Sequence, residues 1–172
     1  KKATSIQRGN LEDLLQLGIS CYRMGSYSEA EQYLKQALAL DPQASEAKNH
    51  LSRLYYESAV KAIEKEDYKK ATVLLVDYTS ENPDDAEGWF NLGLAQLFSK
   101  RLLASEHAFQ RCLKLSPENW QAYDRIGYIH EKKKNYRKAL QHYQKAQKFH
   151  PDPEIEESVE RVQERIRRLN TL

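Results

Sequence analysis

A 34-residue period constrains this chain more than any other feature. Residues 86–119 carry Trp89, Leu92, Gly93, Phe109, Cys112 and Pro117. Moving forward 34 residues meets Tyr123, Ile126, Gly127, Tyr143, Ala146 and Pro151. Moving back 75, two periods and seven residues more, meets Leu14, Leu17, Gly18, Leu34, Ala37 and Pro42. Self-similarity at such spacing signals one supersecondary unit that cannot bury its apolar face alone and so stacks on copies of itself. Within repeat 1, Leu11, Leu14, Leu15, Gly18, Cys21 and Tyr22 recur at three- and four-residue spacing and predict one helix. Tyr27, Ala30, Leu34, Ala37 and Leu38 predict a second, and Asp41-Pro42 ends it because proline pushes the preceding residue out of helical geometry. Asn10 is expected to cap the first helix, with Glu12 and Asp13 in its first turn, and Ser26 with Glu29 spells a capping box for the second. Residues 1–9, polar and without a period, are expected to form with residue 10 a flexible lead-in.

The order of an aromatic, Leu-Gly, a small residue, an aromatic, another small residue and Pro resembles the tetratricopeptide repeat, a helix-turn-helix unit. The resemblance covers nearly the whole chain and implies an all-α fold, a right-handed α-solenoid. Four repeats are expected at 11–44, 45–85, 86–119 and 120–153, filling 11–153, with a capping helix at 154–172. In this family the small residue of the Leu-Gly pair packs on the paired second helix, so Gly18, Gly93 and Gly127 are expected to meet Ala30, Ser105 and Ala139. Repeat 2 departs from the pattern, since Pro42 and Pro83 are 41 residues apart rather than 34. The seven extra residues, 45–51, imply either a longer first helix or an irregular connection. Seven residues are close to two helical turns and the segment holds no Gly or Pro, which favours the longer helix. After His150-Pro151, Asp152 can cap a helix that Pro153 begins, with Ile155, Val159, Val162, Ile166 and Leu169 on one face. Capping the array is the leading reading of that face, and a contact between terminal helices of a homodimer the second.

Composition narrows function by exclusion. Forty per cent apolar and 30% charged residues suit a soluble helical protein. No apolar run reaches the 18 or more residues of a membrane span, and the compartment is left open with the cytoplasm favoured. The sequence begins without Met, which implies processing or trimming and keeps a larger parent protein in view. Residues 1–85 hold 11 Lys/Arg against 14 Asp/Glu, and 86–172 hold 16 against 11, a mild asymmetry without the concentrated basic stripe of a nucleic-acid reader. Lys132, Lys133, Lys134, Arg137 and Lys138 form a basic turn that reads first as solvated, the alternative being contact with nucleic acid, acidic lipid or an acidic partner. Cys21 and Cys112 fall on buried slots and read as free thiols. His50, His107, His130, His142 and His150 are scattered without metal-ligand spacing, and His130 is expected to fill a small gap in the packing. No cofactor, metal or catalytic residue is expected, nor an enzyme.

What the resemblance implies about function lies on the inner face formed by the first helices of successive repeats. There it places Leu15 and Ile19 of repeat 1, Tyr56 and Val60 of repeat 2, Phe90, Asn91, Leu94 and Phe98 of repeat 3, and Asp124, Arg125 and Tyr128 of repeat 4. Exposed apolar and aromatic residues in such a row mark a partner site; the competing reading is packing between neighbouring helices, above all for Phe90 and Asn91. One subclass of the family grips a chaperone's C-terminal carboxylate with Lys, Arg and Asn donors. Asn91 and Arg125 match that set, but Tyr56, Val60 and Gln121 stand where three other donors belong, so the clamp is not expected. A shift by one repeat fails because it presents Leu15 and Ile19. The expected function is a non-enzymatic scaffold or adaptor that binds an apolar or aromatic peptide or helix in the concave groove. A secretion-type chaperone holding one client, and an interaction domain of a larger protein, are the alternatives.

Overall fold

The computed structural model describes residues 2–171, with side chains from Asn10 onward. These residues form helices only, and the helices fall into two compact units, one ending at Asn82 and one beginning at Pro83. The first contains α1 (Lys2–Arg23), α2 (Tyr27–Leu40), α3 (Ser45–Glu64) and α4 (Tyr68–Glu81). The second contains α5 (Ala86–Phe98), α6 (Leu102–Leu115), α7 (Trp120–Lys132), α8 (Tyr136–Phe149) and α9 (Pro153–Asn170). Within each unit consecutive helices pack on one another, so each repeat is a helical hairpin that stacks on its neighbour in the same unit.

Helix ends show where local chemistry acts. Asp67, Asp85, Asn119 and Asp152 each accept a backbone N–H of the first turn of α4, α5, α7 and α9, and Pro153 opens α9. Two expected caps are corrected. Helix α1 already runs through Gly9 and Asn10, so Asn10 lies inside it and not at its start. Ser26 stands at the N-cap of α2 without a side-chain cap bond, and Glu29 instead faces Cys21, whose Sγ lies 3.7 Å from its carboxylate. The turn inside every hairpin is built alike: Gly25, Glu66, Lys100 and Lys134 have φ of 78°, 58°, 62° and 59°. After each of them the next backbone N–H reaches back five residues to a helix carbonyl, as in Arg101 to Gln96 and Asn135 to His130, both at 2.8 Å. Only the first turn uses glycine for this left-handed position.

Helix α3 has 20 residues against 13 in α5 and α7, so the seven additional residues lengthen the helix by about 10 Å. Its apolar face stays in phase, and Ala47, Leu51, Leu54 and Tyr55 join Leu34 and Ala37 in the core of the first unit.

The glycines of the Leu-Gly pairs are in close helix approaches, but the expected partners are corrected. A Cβ on Gly18 would lie 2.9 Å from Cγ of Leu34, on Gly93 2.6 Å from the ring of Phe109, and on Gly127 2.7 Å from the ring of Tyr143. The large residue four positions beyond the small one fills the space, because helical side chains lean toward the N-terminus and cover the preceding turn. The small residue still contributes, since the buried Ser105 hydroxyl donates to the carbonyl of Gly93 at 2.8 Å. In repeat 2 the same register puts Ala59 sixteen residues before Leu75, both fully buried. Cys21 and Cys112 are free and buried; burial raises both thiols, Cys112 to about 11, and keeps them protonated.

Candidate functional site

In the first unit, α1 and α3 carry the predicted inner-face residues. Ile19 is a correction: at 7% exposure it is part of the packing rather than of an open surface. Leu15 is half-buried against the core of this unit. Tyr56 is half-buried with its ring 4.9 Å from that of Tyr78 on α4, and Val60 is half-buried as well. A polar set joins the two helices. The Tyr22 hydroxyl donates to Glu57, which also receives Arg53 Nε at 3.0 Å, while the guanidinium stands 5.7 Å from the centre of the Tyr22 ring. Burial, then the bond to Glu57, pushes the Tyr22 phenol up to about 12. Burial alone would raise the Glu57 carboxyl; hydrogen bonds from Tyr22 and Arg53 outweigh it and hold it below the usual range.

In the second unit, α5 presents Phe90, Asn91, Leu94 and Phe98. Phe90 is half-buried with its ring 5.6 Å from Phe109, and Leu94 packs on the same cluster, so both are partly structural. Asn91 is half-buried, and Phe98 is the open one, 51% exposed. On α7, one period further, Tyr128 is 38% exposed with Lys132 Nζ 5.0 Å from its ring centre. Arg125 is exposed and lies 3.6 Å from the half-buried Asp124. Burial raises the Asp124 carboxyl, against the opposing pull of Arg125.

In the same unit Glu131 of α7 ties three helices together. It accepts the hydroxyl of Tyr143 on α8 at 2.9 Å and a two-point contact from Arg161 on α9 at 3.0 and 3.1 Å. Burial opposes ionisation of Glu131, but the Arg161 and Tyr143 bonds prevail and lower its pKa. Sequence spacing does not reveal this set, because its members come from three helices and Arg161 lies outside the repeats.

Two histidines lie deeper. His130 is buried with Nε2 3.4 Å from Glu106, whose other oxygen holds Lys133 Nζ at 2.6 Å, and its ring stacks on His142 with centroids 5.4 Å apart. Burial, before any neighbouring charge, pushes both imidazoles below their usual value, His142 to about 4. Their unfolded value is about 6.5, so protonation favours the unfolded chain: the stabilisation is whole above that pH and is lost as pH falls, for His142 toward 4. For His142 the loss reaches at most about 1.4 kcal/mol per pH unit within that window. His142→Gln is expected to flatten the fall of the urea midpoint between pH 6.5 and 4.5, and wild-type and variant curves that run parallel would exclude this imidazole as the cause.

Among the described residues no group of three His, Cys, Asp or Glu side chains is placed to hold a metal ion, and no helix is long and apolar enough to cross a membrane. Profiles of the family described as tetratricopeptide repeat match residues 11–44, 86–119 and 120–153. Anaphase-promoting complex subunit 3 of Schizosaccharomyces pombe is 28% identical over 123 residues, which cover 72% of this chain and 17% of that protein. The chain thus spans about a sixth of the length of that relative. Among solved structures, MamA from Desulfovibrio magneticus RS-1, residue 41 to its end, is 24% identical with a TM-score of 0.55, covering 81% of this chain and 75% of its own. The first repeat domain of Spaghetti, bound to the HSP90 peptide SRMEEVD, is 16% identical with a TM-score of 0.64, covering 67% and 92%. At these identities the two structures share the fold.

Proposed function

Because this chain belongs to the tetratricopeptide-repeat family, we propose that it is a non-enzymatic interaction scaffold that binds a partner peptide or helix on the inner face of its repeats. The observation that carries this reading is the exposure of Phe98 and Tyr128 on α5 and α7, large apolar side chains at the surface of helices whose other large apolar residues are buried or half-buried. Arg125 and Asp124 add polar anchors on α7, and the half-buried Phe90 and Leu94 add apolar surface on α5. The peptide seen with the Spaghetti domain supports a peptide as the class of partner. The donors of a carboxylate clamp are replaced here by Tyr56, Val60 and Gln121, so the bound segment is apolar or aromatic rather than an acidic C-terminus.

The test is recovery of partners by wild type and by Phe98→Ala/Tyr128→Ala. Both positions are exposed, so the variant is expected to melt like wild type and to lose its partner. Undiminished recovery sinks the inner-face reading. A second reading, a repeat segment within a subunit of a multi-protein assembly, is favoured by the likeness to the anaphase-promoting complex subunit. It predicts co-purification of several proteins at fixed stoichiometry.

A further inference from the structure

The turn between α7 and α8 meets the last turns of α9 around a cleft of about 360 Å³ in the second unit. Tyr136, Ile166 and Leu169 give it apolar walls, and Lys134, Arg137 and Lys138 line it with positive charge. The nearby acids are engaged elsewhere: Glu106 by Lys133, Glu131 by Arg161, and Glu164 by Arg167 and Arg168. Among the described residues no ion pair involves Lys134, Arg137 or Lys138. Arg137 and Lys138 also stand in the first turn of α8, which contains no acid. That is the positive end of the helix dipole, where a cation destabilises and an anion is favoured. The free chain therefore carries a local electrostatic cost that an anionic partner relieves.

We propose that this cleft docks a short acidic segment of a partner polypeptide, with one aliphatic or aromatic side chain against Tyr136, Ile166 and Leu169 and flanking carboxylates on Lys134, Arg137 and Lys138. The volume lies at the lower end of the roughly 300–1,000 Å³ of small-ligand sites, the size of one or two side chains. A membrane surface requires apolar groups standing out beyond the cations. Here Tyr136 and Ile166 are half-buried in the walls, and Leu169 alone is well exposed, at 58%. This site is separate from the face of Phe98 and Tyr128 and does not depend on it.

Fluorescence anisotropy with a labelled peptide in which Leu and Phe alternate with Asp and Glu tests the proposal. Controls are the same peptide with Ser for Leu and Phe, vesicles of phosphatidylserine and phosphatidylcholine, and a single-stranded oligonucleotide. Wild type is expected to bind the first peptide, more weakly as salt is raised. Arg137→Glu/Lys138→Glu and Leu169→Ser should each weaken binding about tenfold or more. The charge reversal should at the same time raise the melting temperature, because it places acids at the start of α8; a loss of binding through unfolding would lower it. Absence of peptide binding, equal binding of the Ser control, or binding of vesicles or oligonucleotide in place of the peptide would overturn the proposal.

Discussion

Replacing Gly93 with alanine is expected to destabilise the second unit by about 1–2 kcal/mol, although alanine is the better helix former by about 1 kcal/mol. The added Cβ would sit 2.6 Å from two carbons of the Phe109 ring, and that ring is fully buried. Overpacking of this kind costs about 1–3 kcal/mol, and a contact so short lies at the upper end, so the clash outweighs the gain in propensity. Gly127→Ala should behave alike, with Tyr143 at 2.7 Å, whereas Gly18→Ala should cost less because the obstacle is the smaller aliphatic side chain of Leu34, with Cγ at 2.9 Å and Cδ2 at 3.0 Å. Repeat 2 supplies the internal control, since Ala59 and Leu75 hold the corresponding positions there. Gly93→Ala/Phe109→Leu copies that pair and should be more stable than the sum of the two single changes implies. Urea denaturation of the four proteins measures this, and Gly93→Ala as stable as wild type would show that the approach of α5 and α6 is looser than the ring geometry requires.

The same contacts explain how far the sequence could be read. Gly18, Gly93 and Gly127 announce close helix pairs because a mid-helix glycine has a cost that something must offset. Which residue meets each glycine depends on the lean of side chains along the second helix, and that moves the contact from Ser105 to Phe109. The long α3 was legible because seven residues keep an apolar face nearly in phase. Ile19 was misplaced because a residue one step from the packing face is exposed or buried according to how neighbouring helices tilt, which a periodic pattern does not specify. The bond of Tyr22 to Glu57 joins residues 35 apart across the seven-residue insertion, where the register between helices is set by packing. For the same reason the basic residues 132–138 read as a solvated turn: only the fold brings Ile166 and Leu169 beside them. Lys100 and Lys134 hide the left-handed turns that Gly25 reveals.

Val162→Asp is expected to produce the larger loss, about 3–5 kcal/mol, and to release α9 from α8. Val162 is fully buried in a cluster with Ala139, Tyr143 and Val159, and the polar group that Tyr143 brings to it, its hydroxyl, already donates to Glu131. An uncompensated buried charge costs that much, and protonating it instead still leaves a polar group in apolar surroundings. Arg161 is adjacent in sequence, but successive residues do not share a helix face, and its guanidinium is held by Glu131. Release of α9 would also free Glu131 from Arg161 and uncover the ring of Tyr143 that packs on Gly127. Hydrogen exchange should therefore rise first in α9 and then in α8, while α5 and α6 change less. Val162→Ala should lie between wild type and the aspartate, and Glu160→Ala on the exposed face should fall within about 0.5 kcal/mol of wild type. This order distinguishes a cap from another repeat. Arg161 stands 34 residues beyond Gly127, where a bulky side chain denies the close helix pairing that the glycines permit in the repeats. The α9 face bearing Glu156, Glu157 and Glu160 is exposed and charged, as a terminal cap requires. Equal losses from Val162→Asp and Glu160→Ala would show that both faces of α9 are packed, and the cap reading would fail.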